Sequence, residues 1–138
     1  MATSNNGIDD SFTAAVDMSA LQYHFVAAGS VAGEVIAATA GSIPNPLGIL
    51  QNDPRKGEIA AVRLFGLSKL AASGAVITGA ASALSQGHWM TSGSDSKGRG
   101  ANADAAQAVL LDSISSAAGA TVTVFLVGPM ITPTGARY

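Results

Sequence analysis

A motif that occurs twice constrains the fold of this chain more than any other feature. Its copies read PLGILQNDPRKGEIAAVRLFG over residues 46–66 and AVLLDSISSAAGATVTVFLVG over residues 108–128. In each copy a short apolar run precedes a polar turn ending in glycine, and a longer alternating apolar run follows. Alternation places side chains on opposite faces of a strand, and glycine relieves a tight turn. The motif therefore predicts two related β-hairpins and a compact all-β domain.

Length and core composition narrow this prediction to a small barrel or sandwich built from hairpins, with an extended N-terminal arm. The 138 residues suit one domain, and aromatic residues make up only 5% of them. Small aliphatic side chains therefore carry the core, which suits the thin layers of a barrel or sandwich. Asparagine, glycine and aspartate predict an arm over residues 1–20. The β domain then spans residues 21–129, and a proline-interrupted tail spans residues 130–138.

Further elements follow from the remaining patterns. Alternation predicts strands that begin at Leu21 and Gly87, and a strand over residues 31–38. Residues 58–70 form the longest strand candidate, and its two apolar faces predict a central strand packed on both sides. Arg63 interrupts one face, so it either reaches solvent at a rim or pairs with a carboxylate. The glycine- and serine-rich residues 93–100 predict a mobile surface loop.

The charge content argues for a protein partner and against nucleic acid. Charged residues make up 12% of the chain, against about 25% in ordinary soluble domains. A surface so poor in charge is typical of one that a partner partly covers. The net charge is −2 and basic residues form no run, which disfavours phosphate contact. We therefore expect protein contacts and no nucleic-acid partner.

Targeting signals are absent from the pattern of the chain. The N-terminal MATSNNGIDDSF lacks the basic start and apolar core of a signal peptide. The longest apolar runs, such as residues 121–127, are far shorter than the roughly 20 residues of a membrane helix. These features predict a soluble protein made in the cytoplasm, with no membrane partner.

Residue patterns that carry catalysis are also missing from the sequence. The two histidines, His24 and His88, are far apart and lack partners at metal-ligand spacing. Lys97 is followed by Gly98 and Arg99, which breaks the phosphate-loop pattern. No G-x-S-x-G elbow occurs, and the chain has no cysteine for a disulfide or a thiolate metal site. We expect no enzyme activity, no cofactor and no metal, and a structural role for each histidine.

Candidate contact residues are the apolar side chains near the ends of the chain and its single tryptophan. Phe12, Val16 and Met18 could dock the arm, although a frayed terminus is the alternative reading of that segment. Trp89 suits an interface because it buries much area and keeps one donor, and it suits the core equally. Tyr138 closes the chain and completes the set.

Several of these segments together resemble a known family. The segments are QYHFV at residues 22–26, PLGILQN at 46–52, GEIAAVRLFG at 57–66, VFL at 124–126 and the closing RY at 137–138. They resemble the small head-decoration, or capsid cement, proteins of tailed bacteriophages. The resemblance runs from Gln22 to Tyr138, and residues 1–20 lie outside it.

The resemblance implies a structural virion protein whose decoration domain is the β domain of residues 21–129. Its partner would be the major capsid protein, and its location the outer capsid surface of the virion. There it would stabilise the shell by bridging neighbouring capsid subunits, as a homo-oligomer with a trimer favoured. The family implies no catalytic residue and no cofactor.

Two other functions stay open at this point. One is a different phage head or tail module, such as a head fibre base or a tail-tube component, which would have similar β content. The other is a soluble carbohydrate- or ligand-binding β module, which would display aromatic rings to stack on sugars.

Overall fold

The computed structural model describes residues 7–38, 46–72, 87, 89–93, 95–100, 107–112 and 121–127. Regular structure within these residues consists of β-strands, which confirms the all-β prediction. In chain order the strands are β1 Gly7–Ala14, β2 Phe25–Ala28, β3 Glu34–Ala37, β4 Pro46–Leu50, β5 Ile59–Ala71, β6 Trp89–Ser92, β7 Gly98–Gly100, β8 Ala108–Leu110 and β9 Thr121–Leu126.

Five of these strands close into a barrel. The strands pair in the order β1-β3-β2-β4-β5-β9-β8-β6-β7, and β1 pairs with β5 in addition. The extra pairing is antiparallel and runs from Gly7 opposite Gly66 to Thr13 opposite Ile59. On its other side β1 pairs in parallel with β3 at Thr13 and Ala14. Closure removes the free edges that a β-sheet would otherwise expose, and it fulfils the barrel form of the predicted fold.

The long strand β5 belongs to two parts of the molecule. Its first part, up to Gly66, lies in the barrel between β1 and β4. Its second part, from Gly66 to Ala71, pairs with β9, which continues through β8 and β6 to β7. We call β9, β8, β6 and β7 the flanking strands. Gly66 lies at the junction with a φ of 102°, a conformation that favours glycine.

Both predicted hairpins are present, and they lie side by side. β4 pairs antiparallel with β5, and β8 pairs antiparallel with β9. The long strands of the two hairpins, β5 and β9, are neighbours in the sheet. The repeated motif therefore forms a four-stranded unit at the centre of the fold, β4-β5-β9-β8.

Two clusters of buried side chains hold these parts together. The barrel core contains Ala14, Met18, Val26, Val35, Leu50, Ala60 and Val62. The second cluster joins the other faces of β2 and β4 to the end of β5 and the flanking strands, and it contains Phe25, Ala27, Ala38, Ile49, Leu70, Ala72, Met90, Ala108, Leu110, Val122, Val124 and Leu126. Because side chains alternate along a strand, β2 and β4 serve both clusters.

Part of the N-terminal segment, which was predicted as an arm, is built into the barrel. Residues 7–14 form β1 and close the barrel, and Met18 is fully buried in the barrel core. Asp9 and Asp10 favoured solvent in the sequence, and both side chains are exposed. The backbone of the same residues nevertheless pairs with β5 as part of β1. A strand tolerates acidic side chains where they reach water, so their polarity did not exclude a strand here.

Residues 93–100 also differ from the predicted mobile loop. Residues 98–100 form β7, which pairs with β6, and Ser96 is 2% exposed. The carbonyl oxygen of Ser96 accepts a hydrogen bond of 2.8 Å from the amide of Phe25. This bond ties the turn to the barrel wall, so local composition alone was a poor guide.

Candidate functional site

A continuous stripe of apolar side chains crosses the outside of the molecule, from the barrel to the flanking strands. The cross-strand pairs that build it are Ile8–Phe65, Leu67–Phe125, Phe125–Val109 and Val109–Trp89. Residues directly opposite one another on neighbouring strands present their side chains on the same face. We call these residues the apolar band: Ile8, Phe65, Leu67, Phe125, Val109 and Trp89.

The band is open to solvent at its barrel end and half-buried over the flanking strands. Ile8 is 61% exposed and Phe65 is 46% exposed, and the other members are half-buried. The residues that alternate with Phe125, namely Val124 and Leu126, are buried in the second cluster. The rings of Phe65 and Phe125 meet edge to face with centroids 5.3 Å apart, a favourable aromatic arrangement that joins the two halves of the band.

A β-bulge brings Ile8 into the band. Ile8 pairs with Phe65 and the next residue, Asp9, pairs with Arg63, so Leu64 between them is skipped. The extra residue belongs to β5, so β1 keeps its alternation, with Ile8 on the face of Phe65 and Asp9 on the opposite face beside Arg63. Leu64 packs against the barrel core. The bulge thus lets Ile8 join the band while Asp9 reaches Arg63 on the other face of the sheet.

An ion pair lies on the opposite face of β5 from the band, where Arg63 is the pairing partner of Ile49 from the second cluster. Arg63 Nε and Nη2 donate to the two carboxylate oxygens of Asp9, at 2.5 and 2.9 Å, and Nη1 donates to the carbonyl oxygen of Leu67. The Arg63 side chain is 7% exposed and that of Asp9 is 41% exposed. The hydrogen bonds that Arg63 donates to Asp9 raise the pKa of Arg63. Of the two predicted environments for Arg63, the structure therefore shows the pairing with a carboxylate. The Asp9 carboxylate is the member of the pair that reaches solvent.

Lys69 lies beside the band, two residues after Leu67 on β5. It is exposed on β5, opposite Thr123 of β9, and its Nζ lies 5.9 Å from the centroid of the Tyr23 ring. A cation over an aromatic face is attracted by the ring quadrupole. The band is thus an uncharged surface with the Lys69 ammonium beside its β5 segment.

His24 is a structural residue, as a lone histidine was expected to be. It is 8% exposed, and its Nδ1 lies 2.9 Å from Ser96 Oγ. Ser96 Oγ donates to the carbonyl oxygen of Asp95, so the hydroxyl accepts from Nδ1, which carries the proton. Burial lowers the pKa of His24, and the nearby charge of Lys97 lowers it further. His88 lies outside the described residues.

The structure separates the residues that the sequence singled out as contacts. Phe12 packs half-buried against the barrel core, and Met18 lies fully buried inside it. Burial removes Met18 from any surface of the folded chain. Val16 is 46% exposed just beyond β1, and Trp89 is half-buried at the end of the band. Tyr138 lies outside the described residues.

Sequence reasoning missed most of the apolar band. The alternation along β5 placed Phe65 and Leu67 on one face, and this signal was present in the sequence. It did not reveal that this face is the outer one. Nor could it align Ile8, Phe125 and Val109 with that face, because the alignment depends on the register between distant strands.

Across the described ranges, no group of three or more histidine, cysteine, aspartate or glutamate side chains could hold a metal ion. That part of the chain also contains no helix that is long and apolar enough to span a membrane.

The fold is similar to a solved component of a phage particle. The chain matches the N base of the head fiber gp8.5 in bacteriophage phi29, with a TM-score of 0.59. The match covers 91% of this chain and 98% of that chain, at 15% sequence identity. No family model and no curated protein matches the sequence. At this low identity the likeness shows a shared fold, which extends over nearly the whole of both chains.

Proposed function

We propose that this chain is a structural protein of a phage head and that it works by protein contact without catalysis. The observation that carries the proposal is the fold, shared over 91% of the chain with the base of a phage head fibre. The site agrees with that role. The described residues place an uncharged apolar band on the surface, which suits protein contact.

More specifically, we propose that the protein binds the outer capsid surface of the virion. Its partner there is the major capsid protein, and one copy or oligomer bridges neighbouring subunits, with a trimer favoured. The sequence resemblance to capsid cement proteins supports this form. A ligand that binds the assembled shell and not its free subunits stabilises the shell by mass action. Many such sites on one lattice add their effects across every seam.

Co-sedimentation tests the proposal directly. Purified protein is mixed with phage heads that lack it, and the heads are pelleted. We expect saturable binding at a ratio set by the capsid lattice, and little binding to unassembled major capsid protein. Heads with bound protein should also survive heating that opens bare heads. Failure to pellet with heads, together with binding to a sugar array, would favour the carbohydrate-binding alternative.

A second function is favoured by the same structural likeness, namely the base of a head fibre. Stoichiometry separates the two. A protein that bridges every seam would fill sites across the whole lattice, whereas one that anchors fibres at isolated positions would fill far fewer. Saturation near the number of capsid subunits supports cement, and saturation far below it supports a fibre base.

A further inference from the structure

We propose that one side of β1 binds an extended segment of a partner protein as an added strand, and that this segment carries a lysine or arginine opposite Asp10 and an apolar side chain opposite Ile8. The inference deepens the proposed function, on which it rests for the source of the segment, a subunit of the shell. It names the surface that holds the partner and the chemistry that recognises it.

The strand β1 is paired along the whole of one side and along little of the other. On the first side it pairs antiparallel with β5 from Gly7 to Thr13. On the second side it pairs with β3 at Thr13 and Ala14, and within the described residues no other strand joins it there. Residues 7–11 therefore leave this second side uncovered over about 17 Å, and we call it the open edge.

The backbone of the open edge presents hydrogen-bonding groups outward. The Thr13 amide donates to the carbonyl oxygen of Gly33, away from β5. Because the N–H and C=O groups of successive residues point to alternate sides of a strand, those of Ser11 and Asp9 point the same way as those of Thr13. The Ser11 amide agrees with this orientation, since it donates to Asp10 Oδ1 at 2.8 Å. Such a row of groups is a template for an incoming strand.

Side chains along the open edge are accessible on both faces of β1. Residues 8–11 are all exposed, although alternation turns Ile8 and Asp10 to one face and their neighbours to the other. Exposure on both faces leaves room for a strand beside them. Ile8 is 61% exposed at the end of the apolar band, so an apolar side chain of the incoming strand would lengthen the band.

The charges of the open edge determine which occupant fits. Asp9 is paired with Arg63, whereas the exposed Asp10 carboxylate caps the Ser11 amide and forms no ion pair within the described ranges. A second copy paired along the same edge would set Asp9 and Asp10 against their own counterparts, and like charges opposite each other destabilise paired strands. A lysine or arginine opposite Asp10 gains an ion pair, and the carboxylate then releases the Ser11 amide to the incoming backbone. The edge therefore selects a basic strand from a different protein.

The peptide Thr-Val-Thr-Lys-Thr-Val-Thr tests this recognition. Its sequence is palindromic, so when the lysine lies opposite Asp10 a valine lies opposite Ile8 in either strand direction. Binding is followed by the amide NMR signals of the protein during titration with the peptide. We expect the signals of Asp9 and Ser11 to shift most. The analogue with glutamate in place of lysine should bind about fivefold to tenfold more weakly.

Variants of the protein separate the open edge from the rest of the surface. Asp10→Lys reverses its charge, and Asp17→Lys is the matched control, because Asp17 is also exposed and caps a serine amide, that of Ser19, outside the strands. Ser11→Pro removes an amide that points away from β5, and proline is tolerated at a strand edge. Both edge variants should bind the lysine peptide about fivefold or more weakly, with the control unchanged. Asp10→Lys should instead prefer the glutamate peptide, a reversal that loss of folding cannot produce.

Phage heads provide the second measurement. In co-sedimentation, Asp10→Lys should bind heads more weakly than Asp17→Lys does. The inference is overturned if no amide of the open edge shifts at about 5 mM peptide, if the lysine and glutamate peptides bind equally, or if Asp10→Lys and Ser11→Pro bind heads as tightly as the wild type. That last result would leave the proposed function intact. Peptide recognition by a wild-type protein that never binds heads would support the open edge and remove the proposed function.

Discussion

At the scale of single residues, His24 is the ionisable group that most directly couples two parts of the molecule. Its ring donates to Ser96 Oγ, and the Ser96 carbonyl oxygen receives the amide of the adjacent Phe25. The turn before β7 is therefore held to the barrel wall by one side-chain bond and one backbone bond. Because burial favours the neutral imidazole, protonation competes with the folded state.

Acidic pH should consequently destabilise the protein through His24. Its pKa is lowered in the folded state below the ordinary value of about 6.5. As the pH falls below about 6.5, the unfolded chain takes up a proton that the folded chain resists, so the free energy of unfolding decreases. His24→Asn retains a donor for Ser96 without titrating. We expect the difference in melting temperature between wild type and His24→Asn to narrow from pH 7.5 to 5, and parallel curves would contradict this.

At the scale of elements, the sequence predicted where strands lie better than it predicted which strands pair with each other. The two hairpins were evident because apolar alternation and turn residues are local signals. The register within the hairpins was not evident, because the two copies of the motif pair differently. Val62 lies opposite Leu50, whereas Val124, which aligns with Val62 in the motif, lies opposite Leu110. β1 was missed because Asp9 and Asp10 interrupt its pattern, and the closing partner β5 is distant in sequence. The apolar band shares this limit, because it exists only once five strands are in register.

The ion pair between Asp9 and Arg63 should stabilise the closure of the barrel by β1. Asp9→Asn leaves the covered guanidinium with a neutral acceptor, so we expect a loss of about 1–2 kcal/mol of stability. The partial exposure of Asp9 keeps this figure low, because water screens the pair. Asp10→Asn is the matched control, since its exposed oxygen only caps the Ser11 amide. Urea unfolding measures both, and equal losses would refute a special role for Asp9.

At the scale of the whole molecule, β5 makes the barrel and the flanking strands depend on each other. Val62 of its first part lies in the barrel core, and Leu70 of its second part lies in the second cluster. β2 and β4 also contribute side chains to both clusters. Neither cluster can lose its packing without exposing strands that the other one needs, so the described parts form a single cooperative unit.

Unfolding should accordingly occur in one transition. Val62→Ala should cost about 2 kcal/mol and Leu70→Ala about 2–5 kcal/mol, because each removes buried methyl groups. Trp89 is the single tryptophan and reports on the flanking strands, whereas far-UV circular dichroism reports on the whole sheet. The two signals should have the same midpoint in the wild type and in both variants. A Val62→Ala protein whose Trp89 signal melts later than its dichroism would contradict a single unit.

The continuity of β5 has a mechanical consequence. Along its first part β5 is hydrogen-bonded to β1 and β4, and along its second part to β9. A pull applied along such a strand loads these bonds in shear, and they must rupture together, whereas a peeling force breaks them singly. Tension that enters β5 at one end is thereby carried through these hydrogen bonds to its other end.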